Sequence, residues 1–560
     1  MRDGCRTETA TFLCNPRRSA VFGGALRNLP DEENIMSLFY PIMAFACFMS
    51  LLHSLLHTAG PLRSVKRFIR EPMATQRAVL RGLLQQAADT EWGRRYGFAS
   101  IAAADDVVAA YQARMPLHAY DSIRDDVKRV RQGAEDVMWP GQCTHFAVSS
   151  GTVSEGKIIP ISMEMIENDR TFSVGTGVNY VAETGNLRIF GGQHLTLPGR
   201  IEEDPNYPGT LVGEVSGLLA EHAPQFFSSL FQAVPNEIAF LPNWEEKLRA
   251  IAERTVDKDI RMLVMVPTWA LVLFEELIQC YNERYDANVS TVKEVWPNVQ
   301  LFISGGVALR SYRDLLEELI GGDIDFIETY GASEGFFSFQ NRLDDPAMLL
   351  HLDNGLFYEF VRMDEKGTET PRRYTIDDVE TGVRYALYVT SCSGLWSYDV
   401  GDVVRFTQTD PPKIMVAGRT SEMIDRYGEA VFGDEARAAL QAACDETDAH
   451  VTDYHVAPRP AQNGGMPSHE WLVEFEQAPA DMATFAAALD RYLQEVNRHY
   501  QIRREARAFG APTVEALPDG TFYAWLKETK DRVSGQTKVP RMSDERTVAD
   551  AVLRVAQKKR

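Results

Sequence analysis

The sequence predicts an α/β protein made of a large domain and a smaller α+β domain at its carboxyl end. Three observations support this prediction. The chain has 560 residues, more than the roughly 250–300 residues that one hydrophobic core usually serves. From residue 261 onward, short buried runs alternate with amphipathic helical segments. After about residue 418, the alternation gives way to a helix, two strands, a long helix and short strands, an order typical of a separate α+β unit.

The alternating segment predicts a parallel sheet in the large domain. Met262–Val266 and Val299–Ile303 are apolar runs of strand length, and Ile324–Thr329 is a third. Helical segments separate them, including Arg310–Ile320, which carries leucines on one face. Strand–helix–strand units at this spacing are right-handed and build parallel sheets covered by helices. Residues 71–115, earlier in the chain, are predicted to be helical.

The smaller domain is predicted to begin at a hinge, Val416–Arg419. The elements predicted after it are a helix at Glu435–Ala443, strands at His450–Ala457 and Glu470–Glu476, a long helix over 480–499, and short strands at Pro512–Leu517 and Thr521–Trp525. We therefore predict a large domain over residues 63–417 and a small one over residues 418–560.

The first 62 residues have a different character. Residues 1–34 show no periodicity and predict a disordered tail, which either belongs to the native protein or precedes a start at Met36. Residues 35–62 contain no Asp, Glu, Lys or Arg and predict an apolar helix long enough to span a bilayer of about 30 Å. Basic residues follow it, so a spanning helix would leave the rest of the chain in the cytoplasm. Pro41 and the interspersed histidines and serines favour a helix on a membrane surface or against the main domain.

Charge and cysteine content exclude some functions. With 58 Lys and Arg against 79 Asp and Glu, the formal net charge is −21, which argues against a nucleic-acid partner. A small phosphate site remains compatible, because it needs only a few local donors. The seven cysteines contain no C-x-x-C pair. This count predicts a reduced, cytoplasmic chain without a disulfide framework or structural zinc.

The first candidate motif is a polar loop between two apolar runs. After His145–Val148 come several hydroxyl, glycine and lysine residues suited to holding phosphates, namely Ser149, Ser150, Gly151, Thr152 and Lys157. Gly151 to Lys157 fits G-x-x-x-x-G-K, but the next residue is Ile158 rather than Ser or Thr, and a strand follows. Both features argue against a nucleoside triphosphatase loop. The alternative is an ordinary polar turn.

The second motif is Tyr330–Gly335, at the carboxyl end of a predicted parallel strand, where ligand sites of open α/β sheets lie. Glu334 in this glycine-rich turn suggests a magnesium ligand, and the Tyr330 ring suggests a stacking surface for a base. The segment also contains G-x-S-x-G around Ser333, which could be a hydrolase nucleophile elbow. An elbow requires a helix after the serine, whereas Phe336–Gln340 has the composition of a strand.

The third motif is Trp396–Phe406, in which Asp402 lies between a glycine and a predicted strand. An acid in this setting can bind ribose hydroxyls. Taken alone, a plain turn aspartate is an equally simple explanation.

In this order and at these separations, the three motifs resemble those of the auxin-conjugating acyl-acid amido synthetases of the auxin-responsive promoter family. That family is a branch of the luciferase-like adenylate-forming enzymes. The resemblance extends over roughly residues 65–545. It includes the pattern Thr90–Phe98 (TEWGRRYGF) and the segment Gly535–Arg541 (GQTKVPR).

The resemblance implies a large multi-sheet adenylate-forming domain with a mobile small carboxy-terminal domain. It also implies a site for ATP and Mg²⁺. Glu334 would ligate Mg²⁺, and Lys538 on the small domain would approach the acyl-phosphate oxygens. The implied nucleotide-binding residues are the loop residues Ser149, Ser150, Gly151, Thr152 and Lys157, the lining residues Gly305 and Gly306, Tyr330 for the adenine, and Asp402 for the ribose.

The implied reaction is attack of a carboxylate on the α-phosphorus of ATP, followed by transfer of the acyl group to an amine, expected to be an amino acid. A near alternative transfers the acyl group to coenzyme A or a carrier thiol. Two alternatives from other classes are a serine hydrolase that uses Ser333 and a binding protein that has lost the reaction. The resemblance does not account for residues 1–62.

Overall fold

The computed structural model of the chain describes residues 65–148, 157–223, 231–307, 309–420, 422–429, 431–461, 466–506, 508–529 and 539–560. Several predictions therefore lie outside the described residues. These are the tail 1–34, the apolar helix 35–62, the loop residues Ser149, Ser150, Gly151 and Thr152, and Lys538. Within the described ranges, no helix is both long and apolar enough to cross a bilayer.

The described residues form a mixed α/β fold, which confirms the predicted class. The strands are β1 His145–Val148, β2 Ile158–Ile161, β3 Gln193–Thr196, β4 Ile201–Glu203, β5 Leu211–Gly213, β6 Ile260–Met265, β7 Leu301–Ser304, β8 Asp325–Ala332, β9 Gly335–Gln340, β10 Met348–Leu350, β11 Leu356–Arg362, β12 Arg384–Ser391, β13 Tyr398–Thr409, β14 Pro412–Arg419, β15 Met423–Ile424, β16 Val431–Phe432, β17 His450–Arg459, β18 Ser468–Gln477 and β19 Thr513–Leu517.

The α-helices alternate with these strands or cover them. They are α1 Pro72–Gln86, α2 Glu91–Tyr96, α3 Phe98–Ala102, α4 Val107–Arg114, α5 Tyr120–Arg131, α6 Met163–Thr184, α7 Val215–Glu221, α8 Asn236–Ala239, α9 Trp244–Thr255, α10 Pro267–Tyr285, α11 Val292–Val295, α12 Arg313–Ile320, α13 Gly433–Thr447, α14 Met482–Val496, α15 Arg498–Glu505, α16 Thr521–Thr529 and α17 Thr547–Lys559. Short 3₁₀ helices occupy Leu187–Gly191 and Leu309–Ser311.

The main sheet has ten strands in the order β11-β12-β13-β14-β10-β9-β8-β7-β6-β3. Strands β3, β6, β7 and β8 are parallel to one another. Helices α10 and α12 make the crossovers from β6 to β7 and from β7 to β8, as the alternating pattern predicted. Helix α10 begins with Pro267. Proline suits this first position, because the N–H that it lacks would have no hydrogen-bond partner within the helix.

Beyond β8 the sheet changes to antiparallel pairing. β8 turns directly into β9, and β10, β14, β13, β12 and β11 follow in antiparallel register. A separate four-stranded sheet, β2-β1-β5-β4, contains the β1–β2 hairpin, in which Val148 pairs with Ile158. The two ends of the first motif's loop therefore lie side by side.

The carboxy-terminal part has its own sheet, β17-β18-β19, and its own apolar clusters. Helices α13 and α14 pack on it, with Leu440 and Leu489 buried. One prediction here was wrong, because Thr521–Trp525 lies in helix α16 rather than in a strand. Its apolar residues Phe522, Trp525 and Leu526 recur at helical spacing. They pack against the buried face of helix α17.

The proposed hinge residues Val416–Arg419 belong to β14, which stays paired with β13 up to Arg419. Beyond this strand, an ion pair links the main sheet to the carboxy-terminal part. Arg384 on β12 contacts both Asp434 and Glu435 at the start of α13, at 3.0 Å each. The Arg384 guanidinium also lies 4.5 Å from the centre of the Phe432 ring.

Candidate active site

The second motif forms the tip of the β8–β9 hairpin. Ala332 pairs with Gly335, so Ser333 and Glu334 make the turn between the two strands. The Phe336 ring lies over Gly331, where a Cβ atom would come within 2.1 Å of it. A nucleophile elbow requires a helix after its serine. The strand at Gly335–Gln340 therefore removes the geometry on which the Ser333 hydrolase hypothesis depends.

The second and third motifs meet through one hydrogen bond. The Tyr330 hydroxyl donates to Asp402 Oδ2 at 2.7 Å. On the other oxygen of this carboxylate, Arg419 Nε lies 3.1 Å from Asp402 Oδ1. Tyr330 and Asp402 are buried, at 8% and 6% exposure. The end of β8, the start of β13 and the end of β14 are thus joined around a single carboxylate.

Glu334 is a buried carboxyl beside this cluster, with 4% exposure. Burial and, after it, the negative charge of Asp402 raise its pKa to about 7, although the cations of Lys157 and Arg419 oppose the shift. A carboxyl with this pKa is only partly ionised at neutral pH. A cation or an additional donor would stabilise its charged form.

Lys157, the last residue of the first motif, lies in the same place. Its Nζ is 5.9 Å from the centre of the Tyr398 ring. Tyr398 begins β13 and is fully buried. The charge of Glu334 raises the pKa of the Tyr398 hydroxyl, second to the effect of burial. All three motifs therefore contribute a described residue to one site.

The turn after β7 lies against strand β8 at Thr329, the residue before Tyr330. Gly306 has φ +80°, a conformation that glycine adopts without steric cost. A Cβ atom on Gly305 would lie 3.0 Å from Thr329 Oγ1, and that hydroxyl donates to the Ser304 carbonyl at 2.8 Å. The Ser304 hydroxyl itself is fully buried and has no hydrogen-bond partner in the part of the chain that the structure describes.

Some predicted site residues are thus brought together and others are not described. Four of them lie close together. Besides burial, the charges of Asp402 and Lys157 shift the pKa of Glu334, and the charges of Asp402 and Glu334 raise that of Tyr330. The stacking role implied for Tyr330 remains a prediction, since its ring packs on Phe337 at 4.9 Å in this structure. Ser149, Ser150, Gly151, Thr152 and Lys538 lie outside the described residues.

Sequence reasoning did not single out two residues of this site. Arg419 contacts Asp402, and the Tyr398 ring lies beneath the Lys157 ammonium, with Glu334 near enough to shift the pKa of its hydroxyl. Both belong to segments already noted, the hinge and the third motif, and both are residue types that bind phosphates or ribose. Only the pairing of strands distant in sequence reveals that they face the same centre.

The donor set suits a magnesium nucleotide better than a cage made only of protein ligands. Among the described residues, no three His, Cys, Asp or Glu side chains cluster as metal ligands. Mg²⁺ is commonly held by one or two carboxylates together with substrate phosphates. Glu334, which carries a carboxyl that a cation would help to ionise, fits that role.

Comparison with known families gives matches along most of the chain. The GH3 family N-terminal domain matches residues 61–185 and 170–324, the GH3 family central domain residues 349–419, and the GH3 family C-terminal domain residues 434–547. The indole-3-acetic acid-amido synthetase GH3.3 of Arabidopsis thaliana is 22% identical over 86% of this chain and 91% of its own length. The putative indole-3-acetic acid-amido synthetase GH3.10 of Oryza sativa subsp. japonica is 25% identical over 70% of this chain and 88% of its own length.

Solved structures show the same fold. GH3.15 acyl acid amido synthetase superposes with a TM-score of 0.70 at 17% identity, covering 87% of this chain and 93% of that protein. A 2-hydroxyisobutyryl-CoA ligase in complex with 2-HIB-AMP superposes with a TM-score of 0.53 at 14% identity, covering 86% and 91%. These likenesses confirm the adenylate-forming fold that the sequence resemblance implied. Since its domains match in order from residue 61 to residue 547, the chain belongs to the GH3 family.

Proposed function

We propose that this protein is an ATP-dependent acyl-acid amido synthetase, which adenylates a carboxylic acid and transfers the acyl group to an amine, most simply an amino acid. The observation that carries the proposal is the convergence of Lys157, Glu334 and Asp402 from three separate motifs in a chain of the GH3 family. The names of the matched relatives, indole-3-acetic acid-amido synthetases, agree with this activity.

In the first half-reaction, the substrate carboxylate attacks the α-phosphorus of ATP, and pyrophosphate leaves. Asp402 would accept hydrogen bonds from the ribose hydroxyls, and Tyr330 would lie against the adenine. Lys157 and the neighbouring hydroxyl residues Ser149, Ser150 and Thr152, with Gly151, would hold the phosphates. The contribution of the protein is to fix the reacting groups and to stabilise developing charge.

Glu334 would hold Mg²⁺ against the phosphates, and the bound ion would offset their negative charge. The surroundings of Glu334 support this role. Its carboxyl is buried beside Asp402, so its ionised form has an electrostatic cost in the free protein. A cation at this position would remove that cost.

In the second half-reaction, an amine attacks the mixed anhydride, an amide forms and AMP leaves. Lys538 would act in the first step from the carboxy-terminal part, and movement of that part would open the site to the amine. The contact between Arg384 and the start of α13 is one place where such a movement would break an ion pair.

The test is to identify the product and follow the oxygen atoms. Full-length protein is incubated with Mg²⁺, ATP and a panel of aryl and fatty acids, with amino acids or coenzyme A as the acceptor. We expect an amide by mass spectrometry, with AMP formed in equal amount, and one ¹⁸O passing from a labelled carboxylate into AMP. A thioester instead of an amide would favour the coenzyme A alternative. AMP without ¹⁸O would contradict an acyl-adenylate.

A further inference from the structure

The backbone of Ser397 adopts an unusual conformation directly before the site residue Tyr398. Its φ is +43°, in the left-handed region that residues other than glycine rarely adopt. Such a conformation costs free energy and persists only where the surroundings enforce it. Ser397 is fully buried, so its surroundings are the protein interior.

Five hydrogen bonds hold Ser397 in place, one of them between its hydroxyl and the Tyr111 hydroxyl at 3.0 Å. Its N–H donates to Thr390 Oγ1 at 2.9 Å, and its carbonyl accepts from the His118 N–H at 2.9 Å. Its hydroxyl donates to Glu359 Oε2 at 2.6 Å and accepts from Arg373 Nη2 at 2.6 Å. The amide, the carbonyl and the hydroxyl are therefore all fixed.

Glu359 and Arg373 form a rigid support beneath this residue. Arg373 Nε and Nη2 each donate to one oxygen of Glu359 at 2.8 Å. Arg373 Nη1 donates to the carbonyls of Gln112 and Met115. Glu359 is fully buried. A paired and hydrogen-bonded buried ion pair of this kind resists rearrangement, because separating its partners would leave a charge unpaired in the interior.

The neighbouring Tyr398 has an unused donor beside Lys157, which is proposed to hold the phosphates. Its side chain is fully buried, yet its hydroxyl has no hydrogen-bond partner within the described ranges. Buried hydroxyls are normally paired, and an unpaired one is costly. The Lys157 ammonium lies over the Tyr398 ring, and the Glu334 carboxyl lies close enough to raise the pKa of the Tyr398 hydroxyl.

We propose that the Tyr398 hydroxyl donates a hydrogen bond to the phosphate chain of the bound nucleotide, and that the Glu359–Arg373 ion pair fixes Tyr398 for this contact by acting through Ser397. Tyr398 would be a nucleotide-binding residue. Ser397, Glu359 and Arg373 would be positioning residues. The inference rests on the proposed function, since it requires a nucleotide in this site.

Binding of a non-hydrolysable Mg·ATP analogue, measured by calorimetry on the full-length protein, tests the first half of the proposal without knowledge of the acid. Tyr398→Phe removes only the hydroxyl. We expect about ten- to a hundredfold weaker binding, the range for a hydrogen bond to a charged group. Tyr385→Phe is the matched control, since Tyr385 is another fully buried tyrosine of the same sheet, whose hydroxyl accepts from the Glu380 N–H. The Tyr385→Phe variant should bind the analogue as tightly as the wild type does.

The positioning role of Ser397 is tested with Ser397→Gly. Glycine adopts the left-handed backbone conformation without strain, so this variant loses only the side chain. We expect weaker analogue binding from this variant, and no further loss when it is combined with Tyr398→Phe, because both changes would remove one interaction. Additive losses would overturn the positioning role. Unchanged binding by Tyr398→Phe would overturn the inference alone, whereas absence of binding by the wild type would overturn the proposed function and the inference with it.

Discussion

The hydroxyl of Tyr330 donates a 2.7 Å hydrogen bond to Asp402, although their strands are not neighbours in the sheet. β10, β9 and β14 lie between β8 and β13. In a flat sheet this separation would be about 19 Å, since adjacent strands lie about 4.8 Å apart. The sheet must therefore curl so that both residues face one centre. Arg419 reaches the other oxygen of Asp402 directly, because the two residues are paired on the neighbouring strands β14 and β13.

If Asp402 binds the ribose, its loss should matter only for nucleotides that carry ribose hydroxyls. We expect Asp402→Asn to weaken binding of ATP by about ten- to a hundredfold, because hydrogen bonds to a charged acceptor are lost. The wild type should discriminate against 2′-deoxy-ATP or 3′-deoxy-ATP, and Asp402→Asn should bind ATP and the deoxy nucleotides alike. If both proteins discriminated equally in a calorimetric titration, the assignment of Asp402 as the ribose-binding residue would be wrong.

Nucleotide binding should release a proton from Glu334. The pKa of this carboxyl is about 7 in the free protein, so about half of the molecules carry the proton at pH 7. Ligation of Mg²⁺ requires the ionised form, so binding should expel about half a proton at pH 7 and strengthen as pH rises toward 8. Calorimetry in two buffers of different ionisation enthalpy measures the release.

The γ-phosphate of ATP also titrates near neutrality, so a control is needed. Glu334→Gln is this control, because it removes the titration of the Glu334 carboxyl and leaves that of the phosphate. Proton release of equal size by the wild type and the variant would contradict the assignment of Glu334.

Glu334 should also destabilise the protein without ligand. Its pKa is raised from 4.5 to about 7 on folding, so the ionised form is disfavoured in the folded state. The cost is absent below about pH 4.5, grows as pH rises, and is complete above about pH 7. Because a tenfold change in an equilibrium constant is about 1.4 kcal/mol, the full cost is on the order of 3 kcal/mol.

Glu334→Gln should therefore raise Tm at pH 8 while leaving it nearly unchanged at pH 5. Differential scanning calorimetry at the two pH values measures the difference. A gain in Tm of the same size at both pH values would show that charge is not the cause.

The ion pair between Arg384 and the start of α13 should affect the two half-reactions unequally. Arg384→Ala removes contacts to Asp434 and Glu435 and should loosen the arrangement seen here by about 1–3 kcal/mol. Adenylation, measured by pyrophosphate exchange, and amide formation should then change by different factors. Arg342→Ala, which removes an exposed pair with Asp344, is the control. Equal changes in both half-reactions would argue that this contact does not move during turnover.

Local pattern predicted much of the fold. The strands at residues 260–332 follow from short apolar runs bounded by glycine turns, and the strand after Glu334 follows from Phe336–Gln340, which lacks helical periodicity. The prediction of a strand at Thr521–Trp525 was wrong because alternation over five residues cannot distinguish a strand from a short helix whose apolar face is buried by another helix.

The individual motifs of the site could be predicted from the sequence, but the contacts between those motifs could not. Each motif was visible, since glycines, hydroxyls and acids stand close together in the sequence. The contacts of Tyr330 with Asp402 and of Ser397 with Glu359 join residues 72 and 38 positions apart. Such contacts depend on sheet order and curl, which no local pattern encodes. The role of Arg373 beneath Ser397 was therefore not foreseen.

The most direct test of the proposed function is exchange of labelled pyrophosphate into ATP by the full-length protein, across a panel of aryl and fatty carboxylic acids. We predict that at least one acid stimulates the exchange, that Glu334→Gln abolishes it, and that Ser333→Ala retains it. Cleavage of esters without ATP, lost in Ser333→Ala, would contradict the proposal. So would tight Mg·ATP binding with no acid-stimulated exchange, which would favour a binding protein that has lost the reaction.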